Sequence, residues 1–292
     1  MTEAASLLAR LLAEPGKWSA IADDVEELGT ASVESQVCRI GQQTLFNEAA
    51  EVANPTADAE QLLSEWKHEG MTFASLLDAE YPRQLLTIYQ RPPFVMWRGE
   101  PSDGDSSGVC IVGSRAASPR GIATARELAQ GLASRGVPVV SGLAAGIDTA
   151  AHLGALDVGG RTVAVIGTGL RRAYPVSNAE LQSRIADEGM VLSQFLPDAP
   201  PTKYSFPMRN AIMSGYGAAT VVVEASWKSG AKMQARLALE HGRMVLLMSS
   251  LLEHDWAREY ALRPGAHVVS SIDEIMEYLQ SLKVDSPLLS WS

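Results

Sequence analysis

Three observations predict an α/β fold: a doubly wound, mostly parallel sheet preceded by a small helical N-terminal domain. From residue 109 to about 280, strand-like and helix-like segments alternate, the order that builds a parallel sheet wrapped by helices. The strand-like segments are continuous Val/Ile/Ala/Leu runs, as expected of strands covered on both faces. Residues 1–70 carry apolar residues at helical spacing instead.

In chain order, the apolar spacing predicts helices over 3–14, 18–28 and 57–69, the last entered through Asn54-Pro55-Thr56. Residues 71–107 read as a lead-in segment and linker. Tyr81-Pro82 and Arg91-Pro92-Pro93 punctuate it, Phe94 to Trp97 looks like a strand, and Pro101 to Gly108 has linker composition. Strands follow at 109–113, 137–141, 162–166, 190–193, 219–224, 243–248 and 266–269. Helices are predicted at 119–135, 146–157, 177–188, 207–215, 229–241, 253–261 and 271–281. The α/β domain therefore spans 108–282 and a tail covers 283–292.

Composition narrows the function classes. At 46 % apolar and 20 % charged residues, the chain reads as globular. No apolar run reaches the roughly 18 residues of a membrane span, and the N-terminus lacks the basic region of a signal peptide. Cys38 and Cys110 lie in different regions and offer neither a disulfide framework nor a CxxC metal site, so a reducing cytoplasm fits. No cofactor or metal is predicted. The net charge of −10 argues against a nucleic-acid ligand, but its distribution does not. Residues 1–100 hold 16 acidic and 7 basic residues, whereas residues 108–236 hold 13 basic and 8 acidic ones. A local basic surface can bind phosphates on an acidic chain.

The turn after the first strand, Gly113-Ser114-Arg115, leads into a helix at about Pro119. Amides at such a turn and helix start favour an anion, and Arg115 adds a fork suited to phosphate. Gly167-Thr168-Gly169 lacks the third glycine of a dinucleotide fingerprint, so nicotinamide or flavin binding is not predicted. More specific is Ser141-Gly142-Leu143-Ala144-Ala145-Gly146-Ile147-Asp148, continuing through Ala151-His152 to Leu156.

With that block the chain resembles the DNA-processing protein A family, DprA, also called Smf. Its motifs recur here in order: Gly113-Ser114-Arg115, the 141–156 block, Gly167-Thr168-Gly169 with Tyr174-Pro175 and Asn178, Ser193-Gln194, Phe206-Pro207-Met208-Arg209-Asn210 with Ile212, and Glu224 with Lys228-Ser229-Gly230. The resemblance covers about 109–270 and extends loosely into the lead-in strand. It implies a Rossmann-like domain that binds single-stranded DNA without sequence preference and delivers incoming strands to the RecA recombinase. It also implies a homodimer, and no bond-making chemistry.

The DNA- or phosphate-binding residues then expected are Gly113, Ser114, Arg115, Ser141, Gly142, Gly167, Thr168, Gly169, Lys203, Phe206, Arg209, Asn210, Lys228, Ser229, Gly230 and Lys232. Phe206 could stack on a base or serve as a core aromatic. Arg209, just inside a helix start, could clamp a phosphate. Asn210 and Asp148 are suited to holding loops, Glu224 to orienting Ser229 or the Lys228 amine, and His152 to the core. Where the family carries arginines, this chain has Ala145 and Ala211; where it carries an acidic residue, Gln194. Lost phosphate contacts should weaken DNA binding, with Lys232 a partial substitute. The tail leaves no room for the winged helix that often ends the family's chains.

Two other readings compete. The same pocket could serve a sensor or hydrolase of a nucleotide-derived ligand, which the missing arginines favour. Against a hydrolase, the Pro-Gly-Gly-x-Gly-Thr loop of the related phosphoribohydrolases is absent, and Lys228-Ser229-Gly230-Ala231 stands in the comparable place. Ser141, Asp148 and His152 are close enough in sequence for a catalytic triad, but no G-x-S-x-G elbow accompanies them.

Overall fold

A computed structural model describes residues 3–28, 55–226 and 229–285. Three helices come first: α1 (Glu3–Ala13), α2 (Trp18–Leu28) and α3 (Pro55–His68). Leu7, Leu8 and Leu11 of α1 and Ile21 and Val25 of α2 form one buried face with Trp66 of α3, the stripe that 3.6-residue spacing dictates. Arg10 is buried beneath them and pairs with Asp24. These helices lie against β1 (Thr72–Ser75) and β2 (Phe94–Gly99). There Phe94 stacks on Phe73 at 4.9 Å and receives the edge of Trp18 at 5.3 Å.

The α/β part contains β3 (Val109–Val112), α4 (Pro119–Ala133), β4 (Val139–Ser141), α5 (Ile147–Asp157), β5 (Thr162–Val165), α6 (Ala179–Glu188) and β6 (Met190–Ser193). It continues with α7 (Ser205–Tyr216), β7 (Ala219–Val222), α8 (Gly230–Glu240), β8 (Met244–Met248), α9 (Asp255–Ala261), β9 (Ala266–Val269) and α10 (Ile272–Asp285). Every predicted strand and helix of this region lies where the apolar pattern placed it, within a few residues. The fully buried runs of β3, β5, β6 and β7 explain why the pattern was continuous.

All nine strands form one sheet in the order β1-β2-β6-β5-β4-β3-β7-β8-β9. The chain winds outward from β3 to β6, returns to place β7 on the free side of β3, then winds outward again. Right-handed crossovers put the helices before and after that reversal on opposite faces, and the reversal opens a crevice at the carboxyl ends of β3 and β7. β1 and β2 join antiparallel, through β2 against β6. The sheet thus crosses from the segment read as a lead-in into the α/β domain. β1 is too short to show a pattern in the sequence.

Pro101 to Gly108, linker-like in composition, is folded tightly. A 3₁₀ turn over Asp103–Ser107 is closed by a reciprocal capping box between Ser102 and Asp105. Asp105, 2 % exposed, also accepts from Arg161 Nη2 at 2.7 Å and Tyr216 Oη at 2.9 Å. Asp, Ser and Gly were chosen here for hydrogen-bonding geometry, not for flexibility. Asp105→Ala leaves Arg161 and the Tyr216 hydroxyl without their buried partner. Urea unfolding should register a loss of about 3–5 kcal/mol, and an unchanged midpoint would show that the turn contributes nothing to the fold.

Candidate functional site

A cleft of about 390 Å³ lies at the β3–β7 crossover, lined by the Gly113-Ser114-Arg115 turn, the first turns of α7 and α8, and Asp148. Gly113 is required at its position. A Cβ there would run into Ile147 and lie 2.9 Å from the Glu224 carbonyl oxygen. The turn is pinned by Ser114 N donating to Glu224 O at 2.7 Å and Ser114 O accepting from Ile147 N at 3.2 Å. Arg115 projects outward and lays its guanidinium over the Phe206 ring, 5.0 Å from the centroid, within range of a cation–π attraction.

The start of α4, where the sequence suggested an external anion, already holds one. Glu224 accepts from Ser118 N at 3.0 Å and from Ser118 Oγ at 2.5 Å, and a side chain at Gly121 would collide with the carboxylate. The favourable helix end is thus occupied from within the chain. Glu224 therefore orients Ser118, not Ser229 as the sequence suggested; Lys228 lies outside the described residues. The start of α8 is different. Ser229 caps it by accepting from Ala231 N at 3.2 Å, and no atom stands within 4 Å of where a Gly230 Cβ would be. This helix end opens onto the cleft and retains its preference for negative charge.

Phe206 is half-buried on the first turn of α7. Its ring lies against Gly167, where a Cβ would come within 2.9 Å of it, and beside Tyr174 at a centroid distance of 5.2 Å. Arg209, one turn on, is only 5 % exposed. Its Nη1 donates to the carbonyls of Gly142 and, at 3.0 Å, Val165. Its Nε finds no partner among the described residues. Asp148 Oδ2 accepts from the amides of Gly142 at 3.2 Å and Ala144 at 3.3 Å. Burial pushes the Asp148 carboxyl up, against the pull of the Arg209 charge. Burial likewise lowers Arg209, with Asp148 opposing. Arg209 therefore floors the cleft and ties loops together. The sequence placed it at a helix start but could not show that α7 is buried from this residue onward.

Of the predicted residues, the structure brings Gly113, Ser114, Arg115, Phe206, Arg209, Asn210, Ser229 and Gly230 around the cleft. Others are engaged elsewhere. Ser141 Oγ donates to Ile111 O at 2.7 Å, Thr168 Oγ1 to Arg172 O at 3.0 Å, and Gly169 N to Ala199 O at 2.9 Å. Gly142 is glycine because Arg209 occupies the space of its Cβ. Lys203 sits over the Tyr204 ring at 4.8 Å and Lys232 near the Tyr260 ring at 5.9 Å. Ala145 is exposed on its loop and Ala211 is buried in α7. The sequence reading missed Met213, Met233 and Gln234 of the lining. The signal was available for the last two, since both follow the Ser229 cap by one turn of the same helix.

His152 is a core residue. Its Nδ1 meets Thr162 Oγ1 at 2.8 Å, and that hydroxyl donates to Val139 O, so Nδ1 carries the proton. Ser141, Asp148 and His152 each bond to other partners and form no relay. Among the described residues no cluster of His, Cys, Asp and Glu could hold a metal, and no helix is long and apolar enough to cross a membrane.

Comparison with known proteins points one way. The family model for DNA recombination-mediator protein A matches residues 72–280. The DNA processing protein DprA of Streptococcus pneumoniae is 39 % identical over 204 residues, 69 % of this chain and 72 % of that one. Protein Smf of Synechocystis is 37 % identical over 76 % of this chain and 57 % of its own length, and Protein Smf of Escherichia coli 39 % over 68 % and 54 %. The chain thus spans little more than half the length of the last two. Among solved structures, S. pneumoniae DprA superposes with a TM-score of 0.69 at 31 % identity, covering 94 % of this chain and 93 % of that one. DNA processing protein A of Helicobacter pylori, described for its single-stranded DNA binding mode, gives 0.63 at 26 % identity over 73 % and 96 %.

Two measurements check the site's internal wiring. Arg209→Met strands two carbonyls and the Asp148 carboxylate and should cost about 3–5 kcal/mol in urea unfolding. A variant as stable as the parent would remove the structural role given to Arg209. Burial holds His152 down at about 3, against about 6.5 unfolded. Its contribution is complete above pH 6.5 and falls as the unfolded chain takes up the proton, by about 2 kcal/mol between pH 7 and pH 5. His152→Gln should flatten that acid limb; an equal slope in both proteins would assign the loss to other groups.

Proposed function

The chain belongs to the DNA recombination-mediator protein A family, and from that premise we propose that it binds single-stranded DNA in the β3–β7 cleft and delivers it to the RecA recombinase. One observation carries the reading: a half-buried aromatic ring, Phe206, sits under the guanidinium of Arg115 at the mouth of a cleft. Sequence-tolerant binding of a single strand needs a ring on which any base can stack and a cation that tracks the backbone. The open start of α8 supplies further phosphate-directed amides. The named binding mode of the H. pylori relative supports the ligand, and the description of the family as recombination mediators supports the hand-over. In this reading the protein works in the cytoplasm as a homodimer on incoming strands, as in natural transformation. It holds and positions DNA without breaking bonds.

Lys203 and Lys232 extend the same positive surface in this reading, and Asn210 holds the cleft wall. Ala145 and Ala211 remove two charges that the motifs would otherwise supply, so affinity is expected to lie at the weak end and to be salt-sensitive. Fluorescence anisotropy with labelled oligo-dT and matched duplex across a salt series tests the proposal. Single-strand preference is expected. Arg115→Ala should flatten the salt slope by about one, and Phe206→Ala should cost about 1–3 kcal/mol with the slope unchanged. Absence of binding at low salt would sink the DNA reading and turn the cleft over to a nucleotide-derived ligand.

A further inference from the structure

The loop that backs Phe206 is tied to the N-terminal helices by one arginine. Residues 167–174 meet the ring at both ends of the loop: a Cβ at Gly167 would lie 2.9 Å from it, and the Tyr174 ring stands 5.2 Å from its centroid. Arg171 lies between these two contacts in sequence. Its Nε and Nη2 donate to the two carboxylate oxygens of Glu69 at 2.9 and 2.5 Å, and its Nη1 donates to Asp198 at 2.5 Å. A two-pronged pair of this kind fixes direction as well as distance. Arg98 of β2 places a second cation 3.9 Å from Glu69. Glu69 itself stands just past α3, where the chain turns away through Gly70 at a φ of +74°. The carboxyl end of a helix disfavours an acidic side chain, so α3 gains nothing from a carboxylate at this position. The same loop is also laced to the segment that leads into Phe206. Arg171 N donates to Pro197 O at 3.0 Å, Gly169 N to Ala199 O at 2.9 Å and Arg172 Nε to Asp198 O at 2.7 Å. One guanidinium thus joins the end of α3 to the backbone behind the ring and to the backbone that precedes it.

We propose that Glu69 is a positioning residue for the cleft: through Arg171 it anchors the 167–174 loop and so sets the place of the Phe206 ring from the N-terminal side of the molecule. The consequence for binding rests on the single-stranded DNA reading. The sign of that consequence is unusual. Removing an acidic charge from a protein that binds a polyanion ordinarily tightens binding, and an arginine released from its partner would add a cation for phosphate. A carboxylate that holds the ring in place has the opposite effect, and its loss weakens binding. Because Asp198 still holds Arg171 when Glu69 is gone, and because partly exposed ion pairs are individually weak, the effect is modest in size.

The test places Glu69→Gln in three backgrounds of the full chain: the parent, Arg171→Gln and Phe206→Ala. In the parent background it should weaken oligo-dT binding about 2- to 5-fold at low salt, the range of one exposed ion pair. In the other two backgrounds the loss should vanish, because either the tie or the ring it places is already gone. Tighter or equal binding in the parent background, or the same loss in all three, would overturn the positioning role. Hydrogen exchange of the free protein gives a readout that needs no DNA. The amides of Gly169 and Arg171 should exchange faster in Glu69→Gln while those of β3 and β7 keep their protection; unchanged exchange at both would show that Glu69 does not hold the loop. If the parent fails to bind oligo-dT, the ligand reading falls, and the exchange result alone decides whether Glu69 anchors the wall behind Phe206.

Discussion

Arg209 and Asp148 hold together most of what surrounds the cleft. The guanidinium reaches from α7 to the carbonyl of Gly142, just after β4, and to that of Val165 at the end of β5. The carboxylate reaches from α5 to the amide N–H of the same residue, Gly142. Four elements are thus stitched through one glycine, which has no side chain because the arginine fills that space. Buried charges of this kind contribute little net stability compared with an apolar core, but removing one partner is costly. Their value here is geometric. They fix the loop after β4, including Leu143 with its φ of +57°, a conformation that non-glycine residues adopt only when their surroundings over-determine it. Asn178 completes the restraint by donating to Leu143 O at 2.9 Å.

Much of the fold was legible because burial on both faces leaves a simple mark: uninterrupted apolar runs separated by helices. β1 left no such mark, being four residues at the sheet edge. The 101–108 turn was misread because serine, aspartate and glycine serve loose linkers and tight capping boxes equally. What separates the two is a partner, Arg161, more than fifty residues away. The site was legible at the level of motifs but not of roles. Glu224 and Ser118 are 106 residues apart, and no local pattern shows that one neutralises the helix start of the other. Similarly, an arginine one turn into a helix reads as exposed until the depth of that helix is known.

Charge tells a related story. The basic excess over 108–236 suggested a positive face, but several of those arginines are internal ties: Arg161 to Asp105, Arg171 to Glu69 and Asp198, Arg126 to Asp157. Opposite charges brought together by folding cancel at a distance. Among the described residues lining the cleft, the exposed cation is Arg115, laid on the Phe206 ring, and this is a more selective arrangement than a broad basic patch.

The antiparallel join between β2 and β6 sets where the protein can be cut. Residues 108–282 look self-sufficient by motif, yet β6 owes one of its two neighbours to residues 94–99. A fragment beginning at Val109 would bare Met190-Val191-Leu192-Ser193 as a flat, uncharged margin of unpaired amides and carbonyls. Such a margin recruits strands from other molecules and invites aggregation. Residues 72–99 are in this sense a built-in cover for β6, and a soluble minimal unit has to begin ahead of β1.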